Sequence, residues 1–294
     1  MNKCLSMTYM KFFPDYSRAD RLVEIFRNIN IDSKIDLFEE RDIQYIVVRD
    51  LSDYYNVKKL SIIVVGIALI SYLLSTRGEN HWIYFKKYAL KNYRYDVDEI
   101  LLKFVENSPS MLRFKDKKIR RIHRYIDRVI PLLERDFNIY SRNLLSFRNM
   151  LAKNMETNLM GKTISFSIKM FYYVLKAYNI LINIPMSIPI PVDYRVCIFS
   201  ILSKVFKNNV DMNNVGLYAR ILREKYANEI RRIWNYICSK INVPPLRLDT
   251  FIWTTVKYII DSKFDLNQAY ISFSKNFSDT GLRLGFRKIL SIGV

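Results

Sequence analysis

Apolar residues recur along the chain mostly at helical spacing, and strict apolar–polar alternation is scarce. Residues 17–29 show this spacing behind Ser17, a residue type suited to an N-cap. The pattern predicts further helices over 38–56, over 58–75, and from Asp96 to Glu106, where acids gather in the first turn as the helix dipole favours. Residues 81–93 are aromatic and basic, and 111–136 predict a strongly basic helix or helix pair. Helices over 138–153 and 163–180 flank a short turn at 158–161. Helical patterns also cover 193–207, 212–239, 248–262 and 266–275. Tyr45-Ile46-Val47-Val48 is the one strand-like run, and it has no partner. The loop 183–193 holds three of the eight prolines, which predicts extended backbone. No repeat and no linker rich in Gly, Ser or Pro divides the chain, so the pattern is that of one all-α unit with two lobes.

The charge-free run Leu60 to Leu74 changes the picture least. A membrane-spanning helix needs about 20 apolar residues. This run is shorter, so a buried central helix is predicted and no membrane association is expected. Lys11, Asp15, Arg18 and Asp20 interrupt the N-terminal region early, so no secretory pattern is read there. The balance of charge matters more. Lys and Arg number 47 against 28 acids, a formal net charge of +19, which points to a polyanionic partner. Cys4, Cys197 and Cys238 are scattered, and His81 and His123 are the only histidines. No metal-ligand spacing and no disulfide framework follow from such a set, and a reducing cytoplasm fits it best.

Candidate chemistry gathers in two segments. Gly161 opens an apolar helix that carries Lys162 and Lys169. Lys162, Phe166, Lys169 and Tyr173 share one face of it. An amine at the positive end of a helix, with a second lysine on the same face, has the setting of an amine nucleophile. The second segment, Pro189-Ile190-Pro191-Val192-Asp193, is a stiff loop that ends in one carboxylate. Asp193 suits a helix N-cap, and an N-cap carboxylate can also face a pocket. Helix–turn–helix residues 138–180 form a helix-hairpin-helix pattern, whose backbone N–H groups can hold a phosphate. Asp249 and Trp253, four residues apart, present an acceptor beside an aromatic plate suited to a flipped base. The plainer alternatives are a helical hairpin, a snorkelling surface lysine, a capping Asp249 and a core Trp253.

Together, Gly161-Lys162, the Lys162/Phe166/Lys169 face, the loop to Asp193 and the Asp249…Trp253 element resemble the archaeal 8-oxoguanine DNA glycosylases known as AGOG. These are a branch of the helix-hairpin-helix-GPD superfamily, and the likeness spans roughly residues 38 to 260. The resemblance implies a two-lobed helical fold with a cleft between lobes, here 1–95 plus 190–294 and 96–189 of one catalytic unit. It implies excision of 8-oxoguanine followed by strand cleavage at the abasic site. Lys162 matches the family's nucleophilic lysine and Asp193 its essential aspartate. Phe166 and Trp253 match the residues that sandwich the base. Gln44, Lys169 and Asp249 match positions that hydrogen-bond to the base or organise the pocket, and Trp82 matches a further pocket aromatic.

The implied partner is DNA containing 8-oxoguanine, bound by a monomer in the cytoplasm without metal or cofactor. The basic segment 115–128, with Arg283, Arg287 and Lys288, is expected to hold phosphates. Alternatives within reach of the same residues are a glycosylase for another oxidised base and a non-catalytic basic helical nucleic-acid binder.

Overall fold

The structure, a computed structural model, describes residues 11–207 and 214–292. Cys4 and positions 212–213 of the expected 212–239 helix lie outside them. The chain forms two compact units, one of residues up to Asp36 together with those from Val192 on, the other of Leu37–Pro191. The first boundary therefore falls after Asp36, whereas the expected lobes divided after Tyr95. The reason is packing: the segment that follows Asp36 carries helices that bury their apolar faces against the 162–177 helix.

In chain order the described elements begin with β1 (Phe13–Pro14), α1 (Tyr16–Asn28) and α2 (Ile31–Glu39). The 37–191 unit continues with α3 (Ile43–Ser52), α4 (Val57–Ile70), α5 (Gly78–Lys91), α6 (Val97–Asn107) and α7 (Lys115–Arg128). It ends with α8 (Ile130–Arg135), α9 (Phe137–Tyr140), α10 (Leu144–Asn154) and α11 (Lys162–Ala177). The unit from Val192 on adds α12 (Tyr194–Leu202), β2 (Phe206–Lys207), α13 (Val215–Lys225), α14 (Ala227–Ile241), α15 (Pro245–Asp261), α16 (Leu266–Asn276) and α17 (Thr280–Ile292). The all-α expectation holds. The basic run 111–136 is a helix pair, because Pro131 falls where α8 starts afresh. Asp15, not Ser17, caps α1: its side chain accepts from the Arg18 N–H at 3.1 Å. The strand-like run 45–48 is helix, since Asp42 caps α3 from the preceding residues. Helix α17 has no counterpart among the predicted elements. β1 and β2 form one short antiparallel pair, Phe13 opposite Lys207.

Every residue of α4 from Leu60 to Ile70 is buried. α11 packs along it, and α6 and α7 cover other sides. A helix apolar all round is stable only where neighbours enclose it, and the expected central helix is this one. Among the described residues no helix is long and apolar enough to cross a membrane. Gly66 lets α6 and α7 approach: a Cβ there would stand 2.8 Å from Leu101 Cδ2 and 3.0 Å from Tyr125 Cε1. Below α4, His81 on α5 is wholly buried between Ser71 Oγ at 2.9 Å and Ser110 Oγ at 2.8 Å. The Ser71 hydroxyl donates to the Ile67 carbonyl, so it must accept from His81 Nε2–H, and Nδ1 must accept from Ser110. Burial, and then the charge of Lys118, push the His81 pKa down to about 3, so the ring is neutral.

Two buried carboxylates fasten α11 to the segment before α3. Asp42 accepts a hydrogen bond from Tyr173 at 2.9 Å and pairs with Lys169 Nζ at 3.3 Å, both side chains almost fully enclosed. Its other oxygen accepts from the Gln44 N–H at 2.9 Å, capping α3. Glu39 is held in the same manner by Tyr172 at 3.0 Å and Lys176 at 2.6 Å. The four donors lie on two adjacent rows of α11, each a phenol and an amine four residues apart.

Three outcomes test this packing. Gly66→Val is expected to destabilise by about 1–3 kcal/mol, read from urea midpoints, because Leu101 and Tyr125 must move. Asp42→Ala removes the acceptor of a buried amine and a buried phenol, and a loss of about 3–5 kcal/mol is expected in the same assay. His81 has a depressed folded pKa, so its contribution is full above pH 6.5 and fades as pH falls toward 3. Between pH 7 and pH 5 the wild type should lose about 2 kcal/mol from this group, and His81→Asn should lack that part of the slope.

Candidate active site

Lys162 is the first residue of α11 and is half-buried. The turn before it is built by Asn158, whose side chain accepts from the Met160 N–H and whose carbonyl accepts from the Gly161 N–H, each at 2.8 Å. A Cβ at Gly161 would lie 2.8 Å from that carbonyl oxygen, a backbone atom that cannot step aside, so glycine is required here. The expected helix-hairpin-helix is thus α10, this turn and α11. Among the described residues Lys162 makes no ion pair. Lys169, two turns on, is committed to Asp42 and lies 5.4 Å from the Tyr173 ring centroid. The two lysines on one face therefore differ: one amine is tied down in the interior, the other stands at the helix start.

Phe166, between them on that face, is half-buried. Trp82 on α5 meets it edge-on, with centroids 6.1 Å apart and planes at 70°. Trp82 itself is 1% exposed and is wedged against His81 and Phe85, so it supports the Phe166 ring from behind. Gln44 is buried in the first turn of α3, and among the described residues its Oε1 has no hydrogen-bond partner. A buried acceptor left open is uncommon in native interiors and calls for a donor. The 37–191 unit thus brings Gln44 and Lys169 together through Asp42, and Trp82 together with Phe166.

The unit from Val192 on holds the other three expected residues. Asp193 caps α12, and both the Arg195 and Val196 N–H groups donate to its Oδ1 at 2.9 Å. Among the described residues Oδ2 takes no bond, so the cap leaves one carboxylate oxygen for other work. Trp253 is half-buried on α15, and Asp249, one turn earlier, is 3% exposed. α15 starts at Pro245, so Asp249 lies inside the helix and the capping alternative for it falls away. Arg195 bridges this set: its Nη1 donates to the Trp253 carbonyl at 3.0 Å, and its guanidinium carbon lies 3.7 Å from the indole centroid.

Two participants were not read from the sequence. Asp42 carried a cap signal before an apolar helix, but nothing in the chain linked it to Lys169. Arg195 carried none. The basic run also divides. Lys117, Arg120, Arg124 and Arg128 are exposed on α7. Lys118 is fully buried, and burial together with the nearby Arg113 pushes its pKa down to about 8. Arg121 donates to Thr163 Oγ1 at 2.9 Å, next to Lys162.

A family model described as AGOG, N-glycosylase/DNA lyase, matches residues 23–284. The N-glycosylase/DNA lyase of Nanoarchaeum equitans is 29% identical over 255 residues, which cover 86% of this chain and 98% of that protein. The protein of the same description from Methanococcus maripaludis is 27% identical over 268 residues, covering 88% and 94%. Among solved structures, the 8-oxoguanine DNA glycosylase of Pyrobaculum aerophilum, crystallised with 8-oxoguanosine, aligns with a TM-score of 0.72 at 26% identity. That alignment covers 83% of this chain and 90% of the other. A family-model match over residues 23–284, together with the shared helical fold, makes this chain a member of the AGOG family of N-glycosylase/DNA lyases.

Proposed function

We propose that this DNA glycosylase/lyase removes 8-oxoguanine from DNA and cleaves the resulting abasic strand through a Schiff base on Lys162. The observation that carries the substrate assignment is the open acceptor of Gln44. Guanine and 8-oxoguanine differ at N7, an acceptor in the first and an N–H donor in the second. A buried Oε1 without a partner accepts from N7–H and meets an opposing lone pair in guanine. Leaving such groups unpaired costs about 1–3 kcal/mol, which sets the scale of discrimination from this contact. The relative crystallised with 8-oxoguanosine supports the same reading.

Excision requires the base to leave the stack, at a cost of a few kcal/mol. Stacking on an aromatic ring returns about 1–3 kcal/mol per base. Phe166 and Trp253, the two half-buried rings of the site residues, are the stacking partners in this proposal. Lys169 and Asp249 are assigned to ordering the pocket walls, and Trp82 to bracing Phe166.

In the chemical step the neutral amine of Lys162 attacks C1′ and the C1′–N9 bond breaks, the base leaving with its electron pair and gaining a proton. Asp193, through Oδ2, stabilises the developing oxocarbenium and takes the proton released from the amine. Opening of the sugar ring gives an iminium between Nζ and C1′. Loss of a proton from C2′ then expels the 3′ phosphate by β-elimination, and water hydrolyses the Schiff base. Amine chemistry of this kind requires neither metal nor cofactor. A single chain acting in the cytoplasm, with the exposed α7 cations on DNA phosphates, completes the reading.

Lys162→Gln is expected to fold with an unchanged thermal midpoint, to lose excision, and to give no covalent adduct when borohydride is added with lesion DNA. An adduct at wild-type yield would move the nucleophile to another amine, Lys169 first. Asp193→Asn should keep affinity for lesion duplex while single-turnover excision slows by about 10²–10⁴-fold.

A further inference from the structure

Arg195 touches two of the three expected site residues of its unit, Asp193 and Trp253. Its backbone N–H donates to the Asp193 carboxylate, and its guanidinium carbon lies over the Trp253 ring. The 3.7 Å separation is stacking distance, and the other cation–ring pairs described in the chain lie at 4.9 Å or more. The hydrogen bond from Nη1 to the Trp253 carbonyl fixes the guanidinium in register with the indole. One face of the ring is thereby covered, and a base can stack only on the opposite face.

A cation on one face of an indole draws π density toward itself, because the ring quadrupole is negative on both faces. The far face becomes poorer in electrons. Such a surface favours an electron-rich ring, and 8-oxoguanine is more electron-rich than guanine. We propose that Arg195 is a specificity-determining positioning residue: its guanidinium, stacked behind Trp253, orients the indole plate and biases it toward the oxidised purine. This adds a second source of discrimination to the Gln44 acceptor, one that reads the whole ring instead of a single edge atom. The inference rests on the proposed stacking role of Trp253. Its alternative is that Arg195 only ties α12 to α15.

Calorimetric titration of the full chain with 8-oxoguanosine and with guanosine tests it, alongside kcat and KM on a lesion duplex. Arg195→Gln keeps a planar donor for the Trp253 carbonyl and removes the charge. It is expected to weaken 8-oxoguanosine about fivefold, or ~1 kcal/mol, while guanosine changes far less, so the preference between them narrows. On the duplex the loss should appear in KM more than in kcat. Arg195→Lys, which retains charge, should recover part of the preference. Arg195→Met, which keeps the alkyl packing, serves as the second neutral variant should the glutamine variant fail to fold. A neutral variant with the full wild-type preference, or with both nucleosides weakened equally, overturns the inference. Trp253→Ala separates the two levels: if it loses 8-oxoguanosine binding while the Arg195 variants do not, only Arg195 is misassigned. If Trp253→Ala binds as the wild type does, the stacking role and the inference fall together.

Discussion

The buried pair of Asp42 and Lys169 is the constraint on which the 37–191 unit depends. Neither side chain has access to water, and the Tyr173 hydroxyl supplies a further donor to the same carboxylate. A buried charge pair is costly to desolvate and adds little net stability over an apolar substitute. What it does supply is registry. Because Asp42 also caps α3, one carboxylate sets where that helix starts and how α11 is rotated against it. Rotation of α11 by one residue would turn Lys162 and Phe166 away together, since they share the face that Lys169 marks. Glu39, with Tyr172 and Lys176, repeats the device and leaves α11 little freedom to slide.

The apolar helix α4 explains how a chain of such high charge holds an ordered interior. Its enclosed length gives α11 a large apolar backing, so the polar clamps have only to choose among packed arrangements. Much of the charge excess is carried outward. α7 shows the division: Lys117, Arg120, Arg124 and Arg128 remain at the surface, while Ile122 and Tyr125 face inward. Lys118 is the exception, an amine in the interior whose neighbours are rings and other cations, with its Nζ 5.5 Å from the Tyr72 centroid. An acid-rich surface would repel nucleic acid, whereas this distribution attracts it without compromising the core.

Asp193 shows how one side chain holds a helix start and keeps an oxygen for the proposed chemistry. An N-cap needs only one carboxylate oxygen, and here both backbone donors converge on Oδ1. The helix start therefore holds the group rigidly while leaving the second oxygen available, which is the pre-organisation an electrostatic stabiliser requires. The preceding prolines add stiffness from the other side of the residue. Gln44 is arranged in a related way: its backbone is held by the Asp42 cap, and its side-chain oxygen takes no bond among the described residues.

Much was legible in the chain itself. Helical spacing and the scarcity of glycine and proline announced an all-α architecture, the charge-free run announced its central helix, and Gly161-Lys162 with the proline loop to Asp193 supplied the residues of the proposed chemistry. These are local matters, decided by periodicity, backbone freedom and residue type. Boundaries were less legible: Asp15 displaced Ser17 as a cap, 45–48 became helix, and the first unit boundary moved to Asp36. Tertiary structure alone decided which lysine is buried in an ion pair and which stands free of one, because the choice rests on Asp42, more than a hundred residues away in sequence. It alone decided that Trp82 braces Phe166 and that Arg195 covers one face of Trp253. Those contacts join residues whose spacing along the chain carries no periodic signal, and only packing brings them within range.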